Sequence, residues 1–315
     1  GSAAAKKPLP TASVAANDII KKCSPKQAAK TRAAVLEELD EHINRGDMEW
    51  FSAFCDANGV SNVLSVLEKC VSDDVKTLSS AELDVVLACT KALQSSLNKS
   101  YAESVEHIIE HESALRVLLR CLELVDTRLV VGVVDIVAAL AIGDDEAQEA
   151  AVEATTDCVI EKLVHALRGD NSDIKVKISV LTMINTLLAG FEELQPRRAF
   201  RERFVAKGIA HALDEAAATA SGNAATVSNV NAVVQLEAQV EIWCECKEDD
   251  DEDALEISEE ASDDVSGDPR TPRKDKSDDE AAKKKPELPR KPTTAPPPAS
   301  RLSSTAATGK PPLPP

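Results

Sequence analysis

His107-Ile-Ile-Glu-His111 is the segment whose residue types and spacing come nearest to catalysis. Two histidines four apart fall one turn apart on a helix, where both imidazoles can ligate zinc while the glutamate between them acts as a base. Such a site needs a third protein ligand and an open coordination position. No downstream acidic helix stands out as the supplier, and the segment comes just before an apolar phrase, where an exposed turn between helices is expected. Cys244-Glu-Cys246 has too short a spacing for a zinc half-site, and no second ligand pair lies nearby. No glycine-rich phosphate loop follows a strand and no G-x-S-x-G elbow occurs, so nucleotide and serine hydrolysis have no candidate residues. The expectation is a binding protein and not an enzyme, with no catalytic residues, no metal ligands and no cofactor.

Elements able to position a site must be helical. The chain has 315 residues, 43% of them hydrophobic, yet only 3% aromatic and with 11 glycines, so alanine, leucine and valine supply the apolar mass. That suits helices and argues against a sandwich or barrel. The 54 acidic against 36 basic side chains give a formal charge of -18, which disfavours a nucleic-acid partner. No window approaches the ~18 consecutive apolar residues of a membrane span. Cysteines 23, 55, 70, 89, 121, 158, 244 and 246 are dispersed through apolar segments, which reads as buried cytosolic thiols.

A nine-residue phrase recurs: a small or apolar residue, an apolar one, two variable, an apolar pair, two variable and a final apolar residue. It appears as Gly59-Val-Ser-Asn-Val-Leu-Ser-Val-Leu67, Ala114-Leu-Arg-Val-Leu-Leu-Arg-Cys-Leu122, Val159-Ile-Glu-Lys-Leu-Val-His-Ala-Leu167 and Gly208-Ile-Ala-His-Ala-Leu-Asp-Glu-Ala216. A longer helical stretch follows each phrase, as in the stripe Val180, Met183, Ile184, Leu187, Leu188 and Phe191. Recurrence at somewhat more than ~40 residues predicts an all-α, armadillo-like helical repeat solenoid whose unit is a short helix, a turn and a long helix. Residues 1–17 read as a flexible leader and 18–257 as the repeat domain. Residues 258–315 read as a disordered linker running into a proline-rich segment, since 12 of the 16 prolines fall within 247–315.

Three stretches carry a family resemblance. They are Ile174-Lys-Val-Lys-Ile-Ser-Val-Leu-Thr-Met-Ile-Asn-Thr-Leu-Leu188, then Glu192-Glu-Leu194, then Arg198-Ala-Phe-Arg-Glu-Arg-Phe-Val-Ala-Lys-Gly-Ile209. With Trp50-Phe-Ser-Ala-Phe-Cys-Asp-Ala-Asn-Gly-Val60, Cys89-Thr-Lys-Ala-Leu93 and Gln235-Leu-Glu-Ala-Gln-Val-Glu-Ile-Trp243, they resemble, in order, the GTPase-binding and diaphanous inhibitory armadillo-type domain of diaphanous-related formins. The resemblance implies a regulatory module that binds a Rho- or Rac-family GTPase in its GTP form and an intramolecular autoregulatory helix. It would thereby control actin nucleation and elongation, in the cytoplasm at the cytoskeleton or cell cortex. It also implies profilin or another polyproline binder at the tail.

Carried onto this chain, the GTPase would meet Lys21 and Lys22 in the short lead-in and Ser95, Ser96, Asn98 and Lys99 in a turn. The autoregulatory helix would lie on Thr182, Met183, Thr186 and Gly190 with Gln148 at the rim, because the apolar stripe must face neighbouring helices and leaves only the adjoining face free. The acidic run Glu248, Asp249, Asp250, Asp251, Glu252 and Asp253 would dock basic residues of the same partner, since like charges packed this densely repel until cations relieve them. The alternative is an armadillo-type scaffold or adaptor for other peptide or protein partners, unrelated to actin.

Overall fold

The four phrases become the central helices of the array. Their positions Val60, Val63, Leu64, Leu67; Leu115, Leu118, Leu119, Leu122; Ile160, Leu163, Val164, Leu167; and Ile209, Ala212, Leu213, Ala216 are all buried. One register is thus repeated four times, at i, i+3, i+4 and i+7, and it puts a single apolar stripe on each helix. In the computed structural model these helices are α4 (Gly59–Val71), α7 (Ala114–Arg120, continued by a 3-10 turn Cys121–Leu124), α10 (Asp157–Arg168) and α13 (Ile209–Asn223). The structure describes residues 8–71, 78–124, 126–168, 173–223 and 230–263. Of the expected disordered, proline-rich tail, residues 264–315 lie outside the described residues.

A long helix follows each phrase: α5 (Ser80–Lys99), α8 (Thr127–Gly143), α11 (Ile174–Ala189) and α14 (Val230–Asp263). A short helix precedes each phrase: α3 (Met48–Asp56), α6 (Tyr101–Ile109), α9 (Asp145–Ala154) and α12 (Leu194–Ala206). The unit therefore has three helices, not the two expected. The opening helices escape periodicity because they bury so little apolar surface: α9 buries Ala147, Gln148 and Ala151, and α12 buries Phe200, Arg201 and Phe204.

Ahead of the first unit stand α1 (Ala12–Lys22) and α2 (Ala29–Arg45). Residues 12–17, expected in a flexible leader, instead form the first turns of α1. Ala12, Ala15, Ala16 and Ile19 are buried, and Trp50 Nε1 donates to the Pro10 carbonyl at 2.8 Å. α14 likewise continues to Asp263, past the expected boundary at 257.

The long helices pack in sequence, α2 on α5, α5 on α8, α8 on α11 and α11 on α14, so they form one continuous row. The phrase helices form a second row, with α4 against α7, the 3-10 turn against α10, and α10 against α13. Between short and phrase helices the chain turns within two residues in three units and within four, 110–113, in the α6–α7 unit; the second of the two takes positive φ at Asn58 (60°) and at Gly208 (81°). That left-handed residue ends one helix and redirects the next.

The few aromatic rings are concentrated at the ends of the array. Trp50 stacks on Phe54 at 5.5 Å, with Phe51 beside them. Phe191, Phe200, Phe204 and Trp243 form the other chain of contacts.

Candidate functional site

The outer face of α11 is bounded on both sides by packing. Asn185 marks one side, donating through Nδ2 to the carbonyl and side-chain oxygen of Gln239 on α14 at 2.9 and 3.0 Å. Met183, two residues earlier and so on the opposite side of the helix, is fully buried. Met183 therefore belongs to the core and does not line an open face, a correction to the expected groove. Between these sides lie the half-buried Thr182 and Thr186, and Gly190 is exposed at the end of the helix. This strip of small residues continues onto α8 through Asp135, which accepts a hydrogen bond from the Ser179 side chain.

Gln148, expected at the rim, has a different role. It is buried, and its Nε2 donates to the Leu187 carbonyl at 3.0 Å, satisfying one of the acceptors left open at the end of α11. The same brace recurs in neighbouring units with other chemistry. Tyr101 Oη donates to the Ala139 carbonyl at 2.7 Å, and Arg201 Nη1 donates to the Cys246 carbonyl at 3.1 Å. In each case the first helix of a unit reaches its long helix.

The acidic run is partly an internal structure. Asp250 is 1% exposed and is held by Arg197, at 2.7 Å from its Nε, and by Arg201 in an ion pair. Asp251 pairs with Lys247 at 2.6 Å and Arg198 at 3.7 Å, and the hydrogen bond from Lys247 holds its carboxyl below the usual range. The cations that relieve these two carboxylates thus come from α12 and α14 themselves. Asp250 is removed from the expected docking patch, whereas Glu248, Asp249, Glu252 and Asp253 are exposed. The Arg201 guanidinium lies 5.5 Å from the Trp243 ring centre, and burial lowers its pKa.

At the other end, Ser95 to Lys99 lie on α5 and not in a turn. Ser96 is buried, with its hydroxyl donating to the Ala92 carbonyl at 2.9 Å, so it is not available to a partner. Ser95 donates to Asp40 on α2 at 2.5 Å, and Asp40 also pairs with Lys91 at 2.8 Å. Lys99 Nζ donates to the Gly46 carbonyl, closing the end of α2. Lys21, Lys22 and Asn98 are exposed, with Lys22 paired to Asp18 at 2.6 Å.

The histidine motif does not lie on one helix. α6 ends at Ile109, Glu110 is its cap and His111 follows in the turn. Among the described residues no group of three or more His, Cys, Asp or Glu side chains could hold a metal ion. Five cysteines are buried as expected, but Cys158, Cys244 and Cys246 are exposed. Among the described residues no helix is long and apolar enough to cross a membrane.

Three-helix units with phased cores define the described chain as an armadillo-like helical array. The profile of the Diaphanous FH3 Domain matches residues 153–269. The chain is 22% identical over 174 residues to Inverted formin-2 of Xenopus laevis, covering 53% of this chain and 16% of that protein. It is 24% identical over 204 residues to Disheveled-associated activator of morphogenesis 1 of Homo sapiens, covering 60% of this chain and 18% of that protein. It thus spans less than a fifth of these relatives' length. The crystal structure of E. histolytica Formin1 bound to EhRho1-GTPgammaS shares the fold with a TM-score of 0.61, at 13% identity, over 79% of this chain and 80% of that one. The resemblance read from the residue pattern is met by these comparisons: the chain is similar to the Diaphanous FH3 Domain over 153–269 and, at 22–24% identity, to Inverted formin-2 and Disheveled-associated activator of morphogenesis 1.

Proposed function

We propose that the array is the regulatory binding module of a formin. It takes up an active Rho-family GTPase near its N-terminal helices and an autoregulatory helix on the outer face of α11, and so controls actin assembly by the rest of the protein. The FH3 match over 153–269, which includes all of α11, is the observation that carries this reading. The Rho-bound state of the similar E. histolytica structure supports the choice of GTPase class. Lys21, Lys22, Asn98 and the outer edge of α5 with Ser95 and Lys99 are the proposed GTPase contacts. Thr182, Thr186 and Gly190 are the proposed helix contacts, and Glu248, Asp249, Glu252 and Asp253 the proposed acidic contacts. The module acts in the cytoplasm at the cytoskeleton or cell cortex, with profilin or another polyproline binder on residues 258–315.

A GTPase switches such a module only if it binds the helix-free state more tightly than the helix-bound one. Calorimetry with GTP-analogue and GDP forms of several Rho and Rac proteins tests the first half, and tighter binding of the GTP form is expected. The absence of a nucleotide-dependent difference with every one of them would refute it. Thr186→Asp tests the second half. An unpaired carboxylate pressed against an apolar helix should weaken binding of the autoregulatory peptide ~100-fold or more while the melting temperature is kept.

A further inference from the structure

Asp135, half-buried on α8, is a carboxylate that the fold compensates with a serine hydroxyl and not with a cation. On α8 it shares one line with Val131, a turn before, and Ile142, two turns after. Val131 is half-buried, whereas Ile142 is 58% exposed, a large apolar side chain left in water. Thr182 and Thr186 extend the strip onto α11, where the Ser179 hydroxyl is the hydrogen-bond partner of the carboxylate. Burial holds the Asp135 carboxyl above its usual range, and the serine only partly offsets it. No lysine or arginine among the described residues forms an ion pair with it. An asparagine oxygen could still accept the hydrogen bond from Ser179, so the contact between α8 and α11 does not require the charge.

We propose that Asp135 is the residue that sets sequence specificity on this face, pairing with a lysine or arginine of an incoming amphipathic helix whose apolar residues cover Val131 and Ile142. The proposal rests on the reading of the face as helix-binding and adds the chemistry of its ligand. A half-desolvated carboxylate between apolar neighbours gains from a cation that arrives with its own apolar flanks, because covering the strip removes the remaining water from the pair. The same geometry rejects alternatives: an acidic side chain placed there meets like charge, and a ligand shifted by one turn sets its cation on Val131. The apolar anchors therefore belong one or two turns to either side of the cation. The formal charge of -18 steers basic ligands toward the whole molecule, and Asp135 supplies the register that general attraction lacks.

A displayed library of 20-residue amphipathic helices, randomised on the contacting face, can be selected in parallel on the 315-residue chain and on its Asp135→Asn and Asp135→Lys variants. On the native chain one position should be enriched in Lys or Arg, with Leu, Ile or Met within two turns. That preference should vanish on Asp135→Asn and turn to Glu or Asp on Asp135→Lys. For the best selected peptide, replacing the basic residue by Gln should weaken binding about tenfold, Asp135→Asn should do the same, and the two together should do no more. Asp135→Asn, which retains an acceptor for Ser179, keeps the test valid if the lysine variant fails to fold. A basic preference that persists on Asp135→Asn, or helices enriched without a basic position, would overturn the proposal. If no helix is enriched on any variant, the helix-binding reading itself falls, and this proposal with it.

Discussion

The side-chain amide of Gln148 occupies the space in which a Cβ at residue 190 would stand. A methyl group built on Gly190 would lie 2.5 Å from the Gln148 amide, the same amide that donates to the Leu187 carbonyl. Glycine here is a packing requirement and not a conformational one, because φ at Gly190 is -77°, open to any residue.

Gly190→Ala is therefore expected to cost about 1–2 kcal/mol by displacing Gln148 and leaving a buried carbonyl unpaired. Gln148→Ala alone should cost a similar amount, and the double variant less than the two together. Denaturant melts of the four proteins give the cycle. Simple additivity would show that the two residues do not compete for one place.

Asp250→Ala should be among the most damaging single substitutions in the chain. It leaves Arg197 and the buried Arg201 without their carboxylate, a loss of roughly 3–5 kcal/mol. Asp249→Ala, one residue earlier and exposed, should shift stability by no more than about 0.5 kcal/mol. Hydrogen exchange should show α14 loosening first in the Asp250 variant. Equal effects of the two substitutions would place both carboxylates in the same solvated patch.

Arg32 offers the opposite expectation. Its Nη1 lies 3.5 Å from the Cys70 sulfur, its Nε is buried without a partner, and burial pushes the Cys70 thiol upward, so the neighbour is neutral at pH 7. Removing this guanidinium strands no buried carboxylate, since the acid that feels its charge, Glu82, is held first by Ser79. Arg32→Met should leave stability unchanged or raise it, whereas Arg201→Met should lower it, and thermal melts of the pair decide between them.

Thiol titration with an aromatic disulfide at pH 7.5 should show two classes. Burial pushes Cys23 up to about 11 and Cys55 and Cys121 up to about 12, and raises Cys70 and Cys89 as well. A thiol reacts as its thiolate, so these five should stay silent until the chain unfolds, while the exposed Cys158, Cys244 and Cys246 react without unfolding, Cys244 the more slowly because partial burial raises its thiol. More than three fast equivalents would mean that the core opens.

The helices that were legible in the sequence are those that bury an apolar stripe. Leu163, Val164 and Leu167 announce α10 without help from any other part of the chain. What stayed hidden is what depends on partners distant in sequence. α9 is assembled from alanines, a glutamine and acids, and its place in the array rests on Gln148 reaching 39 residues onward to Leu187. The acidic run reads in sequence as one docking patch because charge density carries no information about direction. Only the turn of α14 that points Asp250 at α12 separates it from Asp249. Met183 reads in sequence both as core and as groove, and periodicity alone puts it in the stripe. Asp135 gave no signal at all, since one acid in an apolar helix looks the same in sequence whether it is covered or open.

The separation of the two tryptophans turns the array into its own gauge. Trp50 sits half-buried on Phe54 within the first unit, and Trp243 sits 3% exposed under Arg201 in the last. Tyr101 is the chain's one tyrosine, so almost all intrinsic fluorescence arises from these two positions. In Trp50→Phe the light comes from the C-terminal end, and in Trp243→Phe from the N-terminal end. A stack of units that contact only their neighbours can fray from either side. Two single-tryptophan proteins would therefore report, in the same buffer and with no added label, which end lets go first.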